Sequence, residues 1–265
     1  MEIFSYNLPA ERIAQRPVYP YDAAKLLVID RQTGHLIEDR FYNIGNYLQP
    51  ADLLVFNNSK VRPARLFGRL APGNAAVEVL LLRRIKAASS TNETWEALAR
   101  PLRKLTPGRV IEFQNNFEAE VQVRQDQKSV LLELRSKAPS AVIDQINQLG
   151  CMPIPPYIRK GKGDQQDTLD YQSEFAKIEG SIAAPTASLH FTPDLLKQLG
   201  SEGVEFQEVT LHVGSASFLP VYQEDSAVQT GASSIEAEVT PPSAEQMFVS
   251  EQLVKQINST RAAGQ

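Results

Sequence analysis

Residues 52–69 read DLLVFNNSKVRPARLFGR, and the fold turns on this stretch. Leu53 to Asn57 is a short apolar run of the kind that forms a buried strand, and the texture changes once the chain passes Arg62 and Pro63. From there on, short strands with turn punctuation replace any helical period. The expected strands are Ala64–Arg69, Val77–Arg84, Thr94–Ala99, Val110–Phe113, Phe117–Arg124 and Ser129–Leu134, and six at such spacing predict a small antiparallel barrel. Upstream, a short helix is expected around Pro9–Ala14, followed by a hairpin of Leu26–Asp30 and His35–Glu38 about Gly34. Downstream, helical spacing returns at Ser140–Leu149 and Gly150 ends it. Pro153, Pro155 and Pro156 then stiffen a connector back to the first lobe. The last third carries a polar stretch at Gln223–Ser234, a short strand at Ile235–Val239 and a helix over Ser243–Ala262. The fold class that follows is an α/β lobe interrupted by an inserted small antiparallel β-barrel. Residues 1–61 and 152–265 form the discontinuous α/β domain, and 62–151 the insert.

A chain of 265 residues with 42% hydrophobic and 22% charged residues can bury one substantial core or two smaller ones. No run approaches the roughly 18 apolar residues that cross a bilayer, and the N-terminus lacks the pattern of a secretory signal, so a cytoplasmic location is expected. The single cysteine, Cys151, permits no internal disulfide and no cysteine-held iron–sulfur cluster, and is expected as a small buried residue beside Met152. The three histidines have no ligand spacing, so no metal site is expected. Gly161-Lys162-Gly163 begins like a dinucleotide fingerprint, but Gln166 stands where a third glycine is wanted, and the segment reads as a flexible loop. Net charge is −4, yet Lys60 to Arg109 holds eleven basic residues against Glu78, Glu93 and Glu96. That local excess of eight positive charges suits either an anionic partner such as an RNA backbone or a merely soluble strand surface.

Two of the histidines sit in ligand-shaped settings. GSIAAPTASLHFTP, Gly180 to Pro193, sets His190 between small residues and a strong helix start: Thr192 can cap, Pro193 fits the first helical position, and Asp194 suits the positive end of the dipole. Leu195, Leu196 and Leu199 face a core, and Gly200 is the expected stop. VTLHVGSASFLPV, Val209 to Val221, buries His212 in a β-branched strand and follows it with small residues. The alternative for each is a hydrogen-bonded core histidine.

These blocks, together with YNLPAERIAQRP (Tyr6–Pro17), LLVIDRQTGHL (Leu26–Leu36) and PIPPYI (Pro153–Ile158), resemble the S-adenosylmethionine:tRNA ribosyltransferase-isomerase family of queuosine biosynthesis. The resemblance covers nearly the whole chain and implies the same barrel-in-lobe architecture. It implies transfer and isomerisation of the ribosyl part of S-adenosylmethionine, the co-substrate, onto 7-aminomethyl-7-deazaguanine in the tRNA anticodon region, giving epoxyqueuosine with loss of adenine and methionine. Such chemistry needs a base near the sulfonium, an acid for the departing adenine, and a wobble base held out of its stack. His190 and His212 are the candidate acid and base. Pro185, Thr186 and Thr192 are candidates for gripping the co-substrate, and Arg62 and Arg65 for phosphates or carboxylates.

The chain departs from the family pattern in places. Asn57-Asn58-Ser59 stands where Asn-Asp-Thr is usual, Ser188 replaces a glycine, Gly214 to Phe218 reads GSASF where GLGTF is usual so that Ser215 adds bulk to its loop, and Gln229 to Ser234 replaces a run holding two histidines and a glutamate. The chain also ends at Arg261 to Gln265, where the family continues into further strands. Three readings follow: an active enzyme, an inactive relative that binds tRNA or S-adenosylmethionine, or an incomplete chain completed by a partner.

Overall fold

The computed structural model describes residues 6–124, 129–137, 139–214 and 245–264. The expected features at Gly214–Phe218, Gln223–Ser234 and Ile235–Val239 lie wholly or mainly outside them. The first helix is only a 3-10 turn, Ala10–Arg12, between Pro9 and Ile13, both extended. β1 (Lys25–Ile29) and β2 (Leu36–Arg40) then pair antiparallel about Gly34, whose φ of +70° suits a residue without a Cβ. β3 (Leu53–Asn57) and β4 (Ser59–Val61) follow, with only Asn58 between them.

The barrel is built from β5 (Arg65–Ala71), β6 (Ala75–Ser89), β7 (Asn92–Arg100), β8 (Val110–Glu112), β9 (Phe117–Arg124) and β10 (Ser129–Ser136). These are the six strands expected. They close antiparallel in the order β10-β7-β6-β5-β8-β9. Strict alternation fills the interior: Glu93, Trp95, Ala97 and Ala99 of β7 are all buried, as are Phe117, Ala119 and Val121 of β9. The bounds differ most at β6, whose last seven residues, Arg83 to Ser89, are exposed yet still pair with β7 across three register shifts. No burial alternation marks such a ribbon in the sequence.

Helix α1 (Val142–Leu149) places Val142 and Ile146 in the barrel core, and Cys151 returns to pair with Arg65 through the backbone. Cys151 is half-buried rather than buried. Of the expected loop at Gly161–Gly163, Gly161 closes a 3-10 turn, Arg159–Gly161, and is buried, while Lys162 and Gly163 have no regular structure. After α2 (Asp167–Asp170), β11 (Ile178–Ser181) runs parallel to β4. Helix α3 (Pro193–Ser201) starts where Thr192 predicts, the Thr192 hydroxyl accepting from the Leu195 N–H at 3.2 Å. It does not stop at Gly200. The reversal comes at Gly203, φ +92°.

β12 (Glu205–His212) lies parallel to β3 and antiparallel to β13 (Gln246–Phe248). Helix α4 (Glu251–Ala262) therefore starts later than expected, capped by Ser250, because the residues before it are spent on a strand. The lobe's core is aromatic. Phe56 stacks on Phe175 at 3.8 Å, and Phe191 meets the ring edges of Phe41 and Phe56 at 4.9 Å each. Such pairs contribute about 0.5–1.5 kcal/mol beyond area burial, and here they fix the 3-10 turn Thr186–His190 against the sheet.

An ionic clasp ties the N-terminal arm to α2. Arg16 pairs with Asp164, with Asp167 at 3.2 Å and with Asp170 at 3.5 Å, while the Tyr21 hydroxyl donates to Asp170 at 3.1 Å. Burial pushes the Asp170 carboxyl up, but hydrogen bonds from Gln166, Tyr19 and Tyr21 and the charge of Arg16 outweigh it and hold the value down. Burial first, and Asp170 second, push the Tyr21 phenol up to about 12. A carboxyl whose folded pKa is depressed stabilises above its unfolded value of about 3.9, and that stability is lost as pH falls through the folded value. Protection of the amides of residues 15–21 against hydrogen exchange, relative to their intrinsic rates, is expected to fall below about pH 4, and Asp170→Asn is expected to lower it about tenfold at neutral pH. Unchanged protection in both tests would remove the clasp.

Candidate active site

The site is built where β4 leaves for the barrel. Arg62 follows β4 directly, its backbone N–H donating to the Ser181 carbonyl at 3.1 Å, and Pro63 turns the chain so that Arg65 opens β5. The two arginines of KVRPAR thereby part. Arg65 turns inward, donating to the Gly161 carbonyl and pairing with Glu78 at 3.3 Å. Arg62 enters an open cleft of about 730 Å³ between barrel and lobe.

One wall of that cleft comes from the barrel: Leu82, Arg83 and Arg84 of β6 and Glu96 of β7. The other wall holds Glu179 and Gly180 of β11, Ile182, His212 of β12, and residues 213, 214, 245 and 246. Arg62 lies over the buried Trp95, its guanidinium carbon 5.0 Å from the ring centroid, a cation–π contact. Trp95 is itself fixed. Its Nε1–H donates to Glu93 at 2.8 Å, and Glu93 pairs with Arg84 at 3.1 Å.

His212 presents its ring to Gly180. A Cβ built on Gly180 would stand 2.4 Å from His212 Nδ1, so only glycine admits the imidazole there, and Gly180 takes φ +153°. Among the described residues Nδ1 is buried without a hydrogen-bond partner, as is Arg62 Nε. Burial first, and the positive Arg62 second, lower the His212 pKa below the ordinary imidazole range, so the ring is neutral at pH 7. A neutral base and a cation thus stand at one cleft.

Backbone bonds hold His212 on both sides. The Asn57 amide donates to the Leu211 carbonyl at 2.8 Å and accepts the Leu211 N–H at 3.0 Å. The Ser181 hydroxyl accepts the Val213 N–H at 2.9 Å and donates to Ser59 at 2.7 Å. Asn58 is engaged in the same joint: its amide donates to Glu208 at 3.1 Å and its oxygen accepts from the Thr210 hydroxyl at 2.7 Å. An amide is therefore required there, because a carboxylate would lose the donor and face Glu208.

His190 does not line the cleft. It packs against Phe41 at 5.3 Å, and burial lowers its pKa while a backbone bond to Tyr21 raises it. Pro185 and Thr186 precede it around the 3-10 turn, and the Thr192 hydroxyl is engaged by the α3 cap and by Asp22 at 2.7 Å. Of the residues singled out in the sequence, the structure brings Arg62 and His212 together in the cleft. Glu179, Gly180 and Trp95 were missed. The glycine opening the GSIAAPT block was the available signal, but its contact with His212 spans 32 positions. Among the described residues no cluster of three or more His, Cys, Asp or Glu could hold a metal. None of the described helices is long and apolar enough to cross a membrane.

A family model described as "Queuosine biosynthesis protein" matches residues 1–265. The S-adenosylmethionine:tRNA ribosyltransferase-isomerase of Rhodospirillum rubrum is 39% identical over 267 residues, covering 100% of this chain and 70% of that protein. The enzyme of the same name from Moorella thermoacetica is 42% identical over 227 residues, covering 85% of this chain and 64% of that one. The crystal structure of S-adenosylmethionine tRNA ribosyltransferase from Thermotoga maritima aligns at 28% identity over 98% of this chain and 66% of its own, with a TM-score of 0.39. The chain thus spans roughly two thirds of the length of the proteins it matches.

Two expectations test this geometry. The His212 imidazole should titrate below about 6.5 by NMR and move back up in Arg62→Gln, since a neighbouring positive charge is removed. Asn58→Asp should cost about 1–3 kcal/mol in denaturant unfolding, because a buried hydrogen bond becomes a like-charge contact. A variant as stable as the wild type would show that Asn58 is not a joint of the lobe.

Proposed function

The chain belongs to the queuosine biosynthesis protein family, and from that membership we propose that it transfers and isomerises the ribosyl moiety of S-adenosylmethionine onto 7-aminomethyl-7-deazaguanine in tRNA. The product is epoxyqueuosine, and adenine and methionine are released. The partner is the anticodon region of a tRNA, and the place of action is the cytoplasm. The observation that carries the reading is the neutral, orphaned His212 imidazole beside Arg62 in the inter-lobe cleft.

A base that removes a proton beside a sulfonium must be unprotonated at working pH, and burial together with Arg62 keeps His212 so. Gly180 and the Asn57 and Ser181 bonds hold its ring without a rotamer search. Arg62, Arg83 and Arg84 line the cleft together with Glu96 and Glu179, a mixed-charge lining that suits a polar substrate carrying both signs. His190 lies off the cleft, so the base role rests on His212.

The test is adenine release together with a mass gain on tRNA carrying 7-aminomethyl-7-deazaguanine, measured with S-adenosylmethionine and the purified chain. Turnover is expected, falling about 10²- to 10⁴-fold in His212→Gln. The acid limb of kcat/KM should lie below about pH 6.5, because activity is lost as the imidazole protonates. A cooperatively folded chain that binds tRNA but releases no adenine would leave a binding relative in place of an enzyme.

A further inference from the structure

Three ion pairs line the cleft, and they are not alike. Arg83 meets Glu96 at 3.0 Å and Arg84 meets Glu93 at 3.1 Å, both within hydrogen-bond range. Arg62 and Glu179 stand 3.6 Å apart, beyond it. Each of the two is separately fixed. Arg62 rests on Trp95, while Glu179 is held in β11 at the register position beside Lys60 of β4. Among the described residues Arg62 Nε has no hydrogen-bond partner, and the Glu179 side chain remains 41% exposed.

A looser pair of opposite charges lining the cleft can be parted by a ligand that carries both. A backbone phosphate fits poorly, because Glu179 would repel it. A zwitterion fits: its carboxylate takes the planar edge of Arg62, and its ammonium takes Glu179. We propose that Arg62 and Glu179 form the subsite for an α-amino-acid group, holding the methionyl carboxylate and ammonium of the co-substrate beside His212. The assignment rests on the reading that S-adenosylmethionine is the substrate, and it adds Glu179 as a specificity-determining residue.

Equilibrium binding on the full chain tests it with three probes: S-adenosylmethionine, its decarboxylated analogue, and the analogue lacking the α-amino group. The wild type is expected to prefer S-adenosylmethionine by about 10- to 100-fold over either, the range of a charge-assisted hydrogen bond. Arg62→Gln should reduce the preference over the decarboxylated probe to near unity, with Arg62→Lys retaining part of it. Glu179→Gln should do the same for the probe without the amino group. These ratios compare probes on one protein, so a general loss of stability cancels. Arg62→Gln weakening all probes equally, or a wild type that binds all three alike, would overturn the subsite while leaving the transferase reading in place. A folded wild type that binds none of them, even with tRNA present, would overturn both.

Discussion

The Ser181 hydroxyl is the point on which the lobe depends. It is wholly buried, and it ties three segments together: its own strand β11, β4 through Ser59, and the chain past β12 through the Val213 N–H. An unsatisfied polar group in that setting costs far more than a formed bond contributes, so the three segments are held in one arrangement. Asn57 performs the same service one strand over, its amide standing in for a missing ladder partner of Leu211. The result is that His212, between Leu211 and Val213, has little freedom, and its ring is presented to the only kind of residue it can lie against.

That joint also explains why two arginines three positions apart have different fates. Arg62 leaves β4 on the side where β11 and β12 end, so it inherits the cleft. Arg65 begins β5 after the Pro63 turn and faces Glu78 and the Gly161 carbonyl, where it braces the barrel against the 159–161 turn. Several of the eleven basic residues between Lys60 and Arg109 do similar internal work. Arg109 donates to the carbonyls of Ala71 and Pro72, and Arg69 to that of Asn74. A charge count along the chain therefore overstates the positive surface available to RNA, because part of it closes the turns of the barrel.

The barrel was legible because its signal is local. Each strand alternates, each is bounded by turn residues, and a closed barrel has no edge to perturb the pattern. Thr192, Pro193 and Asp194 were legible for the same reason, as a cap is decided within four residues. The misses are mostly non-local, the helix stop being the exception. Gly200 is a plausible helix stop until Gly203 is seen to reach the left-handed region. Gln246–Phe248 looks like the start of a helix until β12 offers it an edge. The value of Gly180 depends on an imidazole 32 positions away, and that of Trp95 on Arg62. The two histidines looked alike in sequence, and only the packing separates them: one against Phe41 in the aromatic core, one at the cleft.

The separation has an electrostatic logic. A base needs a low enough pKa to be free of its proton, yet it must remain in contact with its substrate, and burial alone secures the first at the expense of the second. In the cleft the neighbouring Arg62 supplies part of the depression, so His212 need not be buried deeply to stay neutral. Were Glu179 closed onto Arg62 at hydrogen-bond distance, that positive field would be partly cancelled at the imidazole and the base would be more readily protonated. At 3.6 Å that cancellation is only partial, and the looser pair keeps charges of both signs at the cleft where a zwitterion can enter.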